Sequence, residues 1–252
     1  MFPLKDENPT ETFPYFTLLL IATNAAVWYW VQGAGMDFQV LMASVCELGA
    51  IPAEITGEAT PLPPGVPDPC PGEGLGWPAL LTSMFLHGGW LHLIGNMWFL
   101  WIFGNNIEDS MGHLRFLVFY LLTGLAAAGV HIVSEPGSQL PMVGASGAIS
   151  GIMGAYLVLY PRVRVHTLFI IIILIRVIPL PAWLLLGYWL LIQVLLGTAA
   201  PAAGGGVAFW AHVGGFVAGV LLVKPFENRQ LVAAKRAKRK LERREIRGGG
   251  WL

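Results

Sequence analysis

Charge is scarce in this chain and unevenly placed. Only 12% of the 252 residues are Asp, Glu, Lys or Arg, about half the share of a soluble domain. Basic and acidic residues number 15 each, so no net charge draws the chain to a polyanion, and no nucleic-acid partner is expected. Lys and Arg are absent from residues 34–89, 134–141 and 197–206. Cysteine is limited to Cys46 and Cys70, and no C-x2-C pair exists to suggest a zinc finger or a thiol-redox centre. No internal repeat is evident, which speaks against a transporter built from repeated halves.

Apolar residues fill the chain instead. They make up 55% of it, and the mean hydropathy is +0.63. The expected fold is all-α: a polytopic membrane protein with six spans. The spans are read at 13–31, 90–107, 114–133, 142–160, 183–196 and 207–223. Residues 1–12 precede them, a long loop (34–89) joins the first two, and a basic tail occupies 224–252. The stretch "TLFIIIILIRVIPLPA" before the fifth span is β-branched and closes on Pro179 and Pro181. It reads as an extended or interfacial segment, not as half of a longer helix. The flank "KDENPTETFP" is acidic, unlike the basic start of a signal peptide.

The distribution of Lys and Arg sets the orientation. With both termini cytoplasmic, the segments lacking Lys and Arg all fall outside and every basic residue falls inside. The expected position is therefore integral and multi-pass, in contact with lipid; the expected host, a bacterial inner membrane, does not follow from the charges. The tail "KRAKRKLERREIR" reads as a solvated, partly helical segment, with contact to anionic lipid as the alternative. Cys46 and Cys70 share the outer loop, where either a disulfide or two free thiols fits the sequence.

Polar groups inside spans are costly and point to function. They are Asn24, His92, Asn96, His131, Ser146, Ser150, Gln193 and His212. The second, fourth and sixth spans all run inward. His92, Asn96, Ser146 and His212 therefore lie roughly 3–10 Å below the outer ends of their helices, at 1.5 Å per residue. His92 and Asn96 are four residues apart and share a helix face. Gly147, Gly151 and Ala155 form a small-residue face with Ser146 on its edge, and Ala211, Gly215 and Gly219 form another beside His212. Such faces let helix backbones approach closely in lipid. If the two meet, Ser146 and His212 come within hydrogen-bonding distance. Taken singly, the serine reads as packing and each histidine as hydrogen-bonded structure. The shared depth is what makes a catalytic reading specific. His87 and His92 have no nearby carboxylate or thiolate to complete a metal site, so neither a metal nor another cofactor is expected.

The segments "HGGWLHLIGNMWFLWIFGNNIED", "GASGAISGIMGAY" and "AHVGGFVAG" together resemble the rhomboid family of intramembrane serine proteases, in that family's order. The resemblance implies Ser146 as nucleophile, His212 as general base, and His92 and Asn96 as oxyanion donors. It gives supporting roles to His87, Gly144, Gly147, Ser150, Gly215 and Gly219. It also implies transmembrane protein substrates, cleaved near the outer end of a single span and entering past the fifth helix. Trp183 and Trp189 on that helix read equally as gate residues or as lipid anchors. Some family members carry a tyrosine where Ser150 stands, stacked on the catalytic histidine. The His212 ring must then be oriented by Ser150 or by an aromatic elsewhere. No carboxylate lies at this depth, so the expected unit is a Ser–His dyad. A non-catalytic binder or chaperone of transmembrane segments is the alternative, and a transporter the more distant one. The oligomeric state is not legible.

Overall fold

The computed structural model describes residues 2–59, 61–62, 65, 67–171, 174–199 and 208–248. Residue 1, parts of the Pro/Gly-rich loop, residues 172 and 173 of the stretch before the fifth span, the end of the third expected outer segment with the first residue of the sixth span (200–207), and the last four residues of the tail lie outside them.

The protein is a polytopic helical membrane bundle with one small sheet. A short strand, β1 (Phe2–Asp6), precedes helix α1 (Tyr15–Trp30). The long loop folds into α2 (Phe38–Leu48), α3 (Pro52–Thr56) and α4 (Ala79–Thr82). Asp37 starts α2 by accepting the amides of Gln39 and Val40, and Pro52 opens α3 at a position where no N–H is needed. Cys46 and Cys70 are joined by a disulfide with Cα atoms 5.2 Å apart.

Helix α5 (Trp90–Phe99) continues through a π-helical stretch, Leu100–Gly104, into α6 (Asn105–Met111), forming one rod. Gly112, at φ 83°, breaks it before α7 (His113–Ser134). Helix α8 (Ser146–Leu159) follows, then strands β2 (Arg164–Ile171) and β3 (Leu174–Pro181). The chain closes with α9 (Ala182–Ala199), α10 (Phe209–Phe226) and α11 (Arg229–Gly248). Among the described helices, α7, α9 and α10 are each long and apolar enough to cross a membrane unaided.

The Pro-rich stretch before the fifth span is extended, as its composition predicts. β1, β2 and β3 form an antiparallel sheet in that order, with Phe2 opposite Leu168 and Arg164 opposite Pro181. Pro179 and Pro181 lie on edge strand β3, where a missing N–H breaks no ladder. The sheet is an addition to the all-α expectation.

Helix α8 is the axis of the bundle. Eleven of its 14 residues are buried. It rises about 21 Å, less than a roughly 30 Å hydrocarbon layer. It packs backbone to backbone on α10: a Cβ on Gly215 would collide with the carbonyl of Gly147, and one on Gly219 with that of Gly151. The small-residue face read on α10 does meet α8, but it rests on the carbonyls of Gly147 and Gly151, whose own Cβ positions point at Ala127 and Thr123 of α7; Gly154 is the α8 glycine that faces Phe216 of α10.

The opposite, basic end is locked by buried charge. Glu108 accepts the amides of Phe16 and Thr17 at 2.9 and 2.8 Å, capping the otherwise unpaired N–H groups at the start of α1. Asp109 accepts from Thr12 N at 3.0 Å and from Lys235 Nζ at 2.8 Å. Burial opposes the Asp109 charge, but the Lys235 and Thr12 hydrogen bonds outweigh it and hold the carboxyl below its ordinary value. The tail therefore departs from the solvated reading. It is helical, but Lys235 is buried against Asp109 and Asn106 because two uncompensated polar groups there would be costly. Asp6 joins this cluster, accepting from Asn106 Nδ2 at 2.9 Å and from the Tyr156 hydroxyl.

Candidate active site

Ser146 is the first residue of α8 rather than a position one turn inside it. Gly144, at φ 124°, turns the chain just before the helix. Its N–H donates to Ser83 O at 2.8 Å, and Met142 exchanges two backbone hydrogen bonds with Ala50. The long loop thus pins the segment that delivers Ser146. At this position the first amides of α8 have no partner within the helix, and the positive end of its dipole faces the site.

His212 lies on the first turn of α10. Its Nε2 is 2.8 Å from Ser146 Oγ. Its Nδ1 is 2.7 Å from Oε1 of Gln193 on α9. The Trp189 ring, one turn earlier on α9, lies 5.8 Å from the His212 ring at 40°. Ser150 does not reach His212. Its hydroxyl donates to the Ser146 carbonyl at 2.6 Å, so of the two alternatives for orienting the ring, the aromatic one has a counterpart and Ser150 does not.

His92 and Asn96 share one face of α5 and look toward Gly144. The amide of Gly88 approaches His92 Nδ1 at 3.3 Å. A neutral ring that accepts at Nδ1 carries its proton on Nε2. That Nε2 would stand 2.7 Å from a Cβ on Gly144, so only glycine leaves the space between them open. Asn96 Nδ2 is buried and has no protein partner among the described residues. Two side-chain donors therefore point, unspent, at the space beside Ser146.

These residues line one cavity of about 590 Å³, together with Gly144, Gly147, Ser150, Trp189 and Met153. No carboxylate is among its described lining residues. His87 stays outside. It is fully buried, its ring lies edge-on to His92 at 5.1 Å, and Gln32 pins its backbone by two 2.8 Å hydrogen bonds. Gly215 and Gly219 also lie outside, at the α8–α10 contact. His131 and Asn24 are buried elsewhere, and Asn24 donates to Leu20 O at 2.7 Å. Trp183 and Trp189 part company: Trp189 lines the cavity, while Trp183 stands exposed at the basic end of α9. No group of three or more His, Cys, Asp or Glu side chains among the described residues is placed to hold a metal ion.

The sequence noted Gln193 as polar but gave it no role. A signal was present. Trp189, Gln193 and Gly197 recur every four residues, marking the α9 face that meets α10.

A family model described as Rhomboid domain matches residues 75–227, a stretch that contains every one of these cavity residues. The chain belongs to the rhomboid family. It is 32% identical over 146 residues to the Rhomboid protease GluP of Bacillus subtilis, covering 57% of this chain and 24% of that protein. It is 30% identical over 152 residues to Rhomboid protein 1, mitochondrial, of Saccharomyces cerevisiae, covering 57% and 40%. RHOMBOID-like protein 5 of Arabidopsis thaliana is 38% identical over 85 residues, 34% of this chain and 27% of that one. The chain thus matches between about a quarter and two fifths of the length of these relatives.

Proposed function

We propose that this rhomboid is an intramembrane serine endopeptidase cleaving single-span membrane proteins near the outer end of their transmembrane segment. The observation that carries the reading is the 2.8 Å approach of Ser146 Oγ to His212 Nε2, inside a cavity that also holds unpartnered donors. The proposed orientation puts both termini in the cytoplasm of a bacterial inner membrane and the cavity at the outer face. It rests on the segregation of Lys and Arg toward the opposite end.

The chemistry follows from the atoms present. Ser146 Oγ attacks the scissile carbonyl carbon while His212 Nε2 takes the hydroxyl proton. The oxyanion forms beside Gly144, where His92 Nε2–H, Asn96 Nδ2–H and the amide of Ser146 converge. Collapse breaks the peptide bond, and His212 returns its proton to the leaving amine. Water admitted through the cavity then attacks the acyl-serine, His212 takes a proton from it, and the acid is released as Ser146 regains its hydrogen.

The test is co-expression with a panel of single-span reporters, alongside labelling by a fluorophosphonate. Wild type should label and cut at least one reporter, and Ser146→Ala should do neither. Cleavage by Ser146→Ala would sink the assignment. Capture of reporters without cleavage or labelling would favour the non-catalytic binder instead.

A further inference from the structure

The His212 ring is held from two sides, and the side away from Ser146 belongs to a different helix. Gln193 on α9 is buried, 8% exposed, and its Oε1 meets Nδ1 at 2.7 Å. Its helix face is fixed where it does so. One turn before, Trp189 packs on His212 and stacks on Phe216 at 6.2 Å. One turn after, Gly197 lets α9 close on α10: a Cβ there would lie 3.2 Å from Phe209 Cβ.

The consequence concerns the imidazole tautomer. To accept the Ser146 proton at Nε2, a neutral ring must carry its own proton on Nδ1. A carboxamide oxygen facing Nδ1 favours that form, because only Nδ1–H donates to it. With Oε1 in this place, the other tautomer would set two lone pairs against each other across 2.7 Å, relieved only by turning the carboxamide over to present its NH2. The same oxygen dipole favours the imidazolium that forms after proton transfer.

We infer that Gln193 is a positioning residue for His212, a neutral third member of the Ser146–His212 unit that holds the base in its proton-accepting tautomer. The inference rests on the proposed endopeptidase reading. It adds a positioning partner to the Ser146–His212 dyad and ties α8, α10 and α9 together at the site. It also assigns α9 a part in the chemistry: the base is correctly set only while α9 lies against α10.

The test compares wild type, Gln193→Leu, Gln193→Glu and Ser146→Ala on one transmembrane substrate in detergent. Leucine keeps the bulk and removes the acceptor. Glutamate keeps an acceptor oxygen in place. Because a neutral amide orients less strongly than a carboxylate, we expect Gln193→Leu to lower kcat about 10- to 100-fold. That is less than the roughly 10⁴-fold that the wrong tautomer costs a Ser-His-Asp enzyme. KM should change by less than about twofold, since no substrate contact is removed. Gln193→Glu should recover at least half of the lost activity on a logarithmic scale. If the leucine variant does not fold, Gln193→Asn withdraws the amide by one methylene and should show the same loss of kcat. Wild-type or raised kcat in the variant lacking the acceptor, or a glutamate variant no better than leucine, overturns the inference. Persistent turnover by Ser146→Ala would instead overturn the endopeptidase reading, so the two failures are distinguishable.

Discussion

Gly215 of α10 rests on the carbonyl of Gly147 of α8, three residues past His212 and one past Ser146. This backbone contact sets the spacing of the two reacting side chains. The obstacle to a Cβ is main chain, which cannot turn aside. Gly215→Ala should therefore separate the helices, at a cost of about 1–3 kcal/mol from overpacking. Misplacement of about 1 Å can cost on the order of 100-fold in rate. We expect kcat to fall by at least about that factor. Gly129→Ala on α7, where a Cβ meets nothing within 4 Å, should leave it unchanged. Equal kinetics for the two variants would detach the glycine contact from catalysis.

Asn96 and His92 should act on the transition state more than on bound substrate. Each loses one preorganised donor on truncation, a loss typically worth on the order of 100- to 1,000-fold in kcat. The helix amide of Ser146 remains, so neither variant should be dead. Asn96→Ala is expected to lower kcat in that range with little change in KM. A large rise in KM at unchanged kcat would place Asn96 in substrate binding instead. His87→Ala should lower the melting temperature more than kcat, since its buried ring packs against His92 and lines no part of the cavity.

Much of this was legible before the fold was known, because membrane physics leaves few alternatives. Polar side chains inside spans are costly, and Ser146, His92, Asn96 and His212 therefore stood out and proved to line one cavity. Small-residue spacing marked the α10 face that packs on α8. What stayed hidden depends on contacts between elements distant in sequence. Gln193 looked like any span glutamine until α9 was set beside α10. The start of α8 was misjudged by one turn, because apolarity runs on through Met142 and Val143 while the helix begins only after Gly144 turns the chain. Lys235 was one cation among many in a basic tail, and only the placement of Asp109 makes it different.

That difference should be measurable. Lys235 and Asp109 are both about 3% exposed at a 2.8 Å separation. Removing one partner of a buried pair strands the other and typically costs about 3–5 kcal/mol. Lys238 pairs with Glu11 at the same distance but is 54% exposed, and such pairs are worth about 0–1 kcal/mol. Lys235→Ala should therefore lower the unfolding midpoint clearly, and Lys238→Ala hardly at all. Denaturant titration of the purified protein checks this, and similar small shifts for both would mean that the tail helix does not dock in solution.

Asp6 carries the last prediction, which concerns pH. Burial, partly offset by the Tyr156 hydroxyl and by the Lys235 charge, pushes its carboxyl up from 3.8 to about 6. A folded-state value above the unfolded one means that the folded protein binds the proton more tightly. The associated stability is fully present below about pH 4 and is lost as pH rises through about 6, opposite to an ordinary salt-bridged carboxylate. Asp6→Asn removes the charge while keeping an oxygen to accept from Tyr156 and Asn106. Relative to wild type, the variant should gain stability as pH rises from about 4 to about 6, with the gain levelling off above that. Thermal melts of both proteins across that range decide it. A wild type that instead gains on the variant as pH rises would mean that Lys235 holds Asp6 ionised, and that the strand β1 is anchored by charge rather than by a protonated carboxyl.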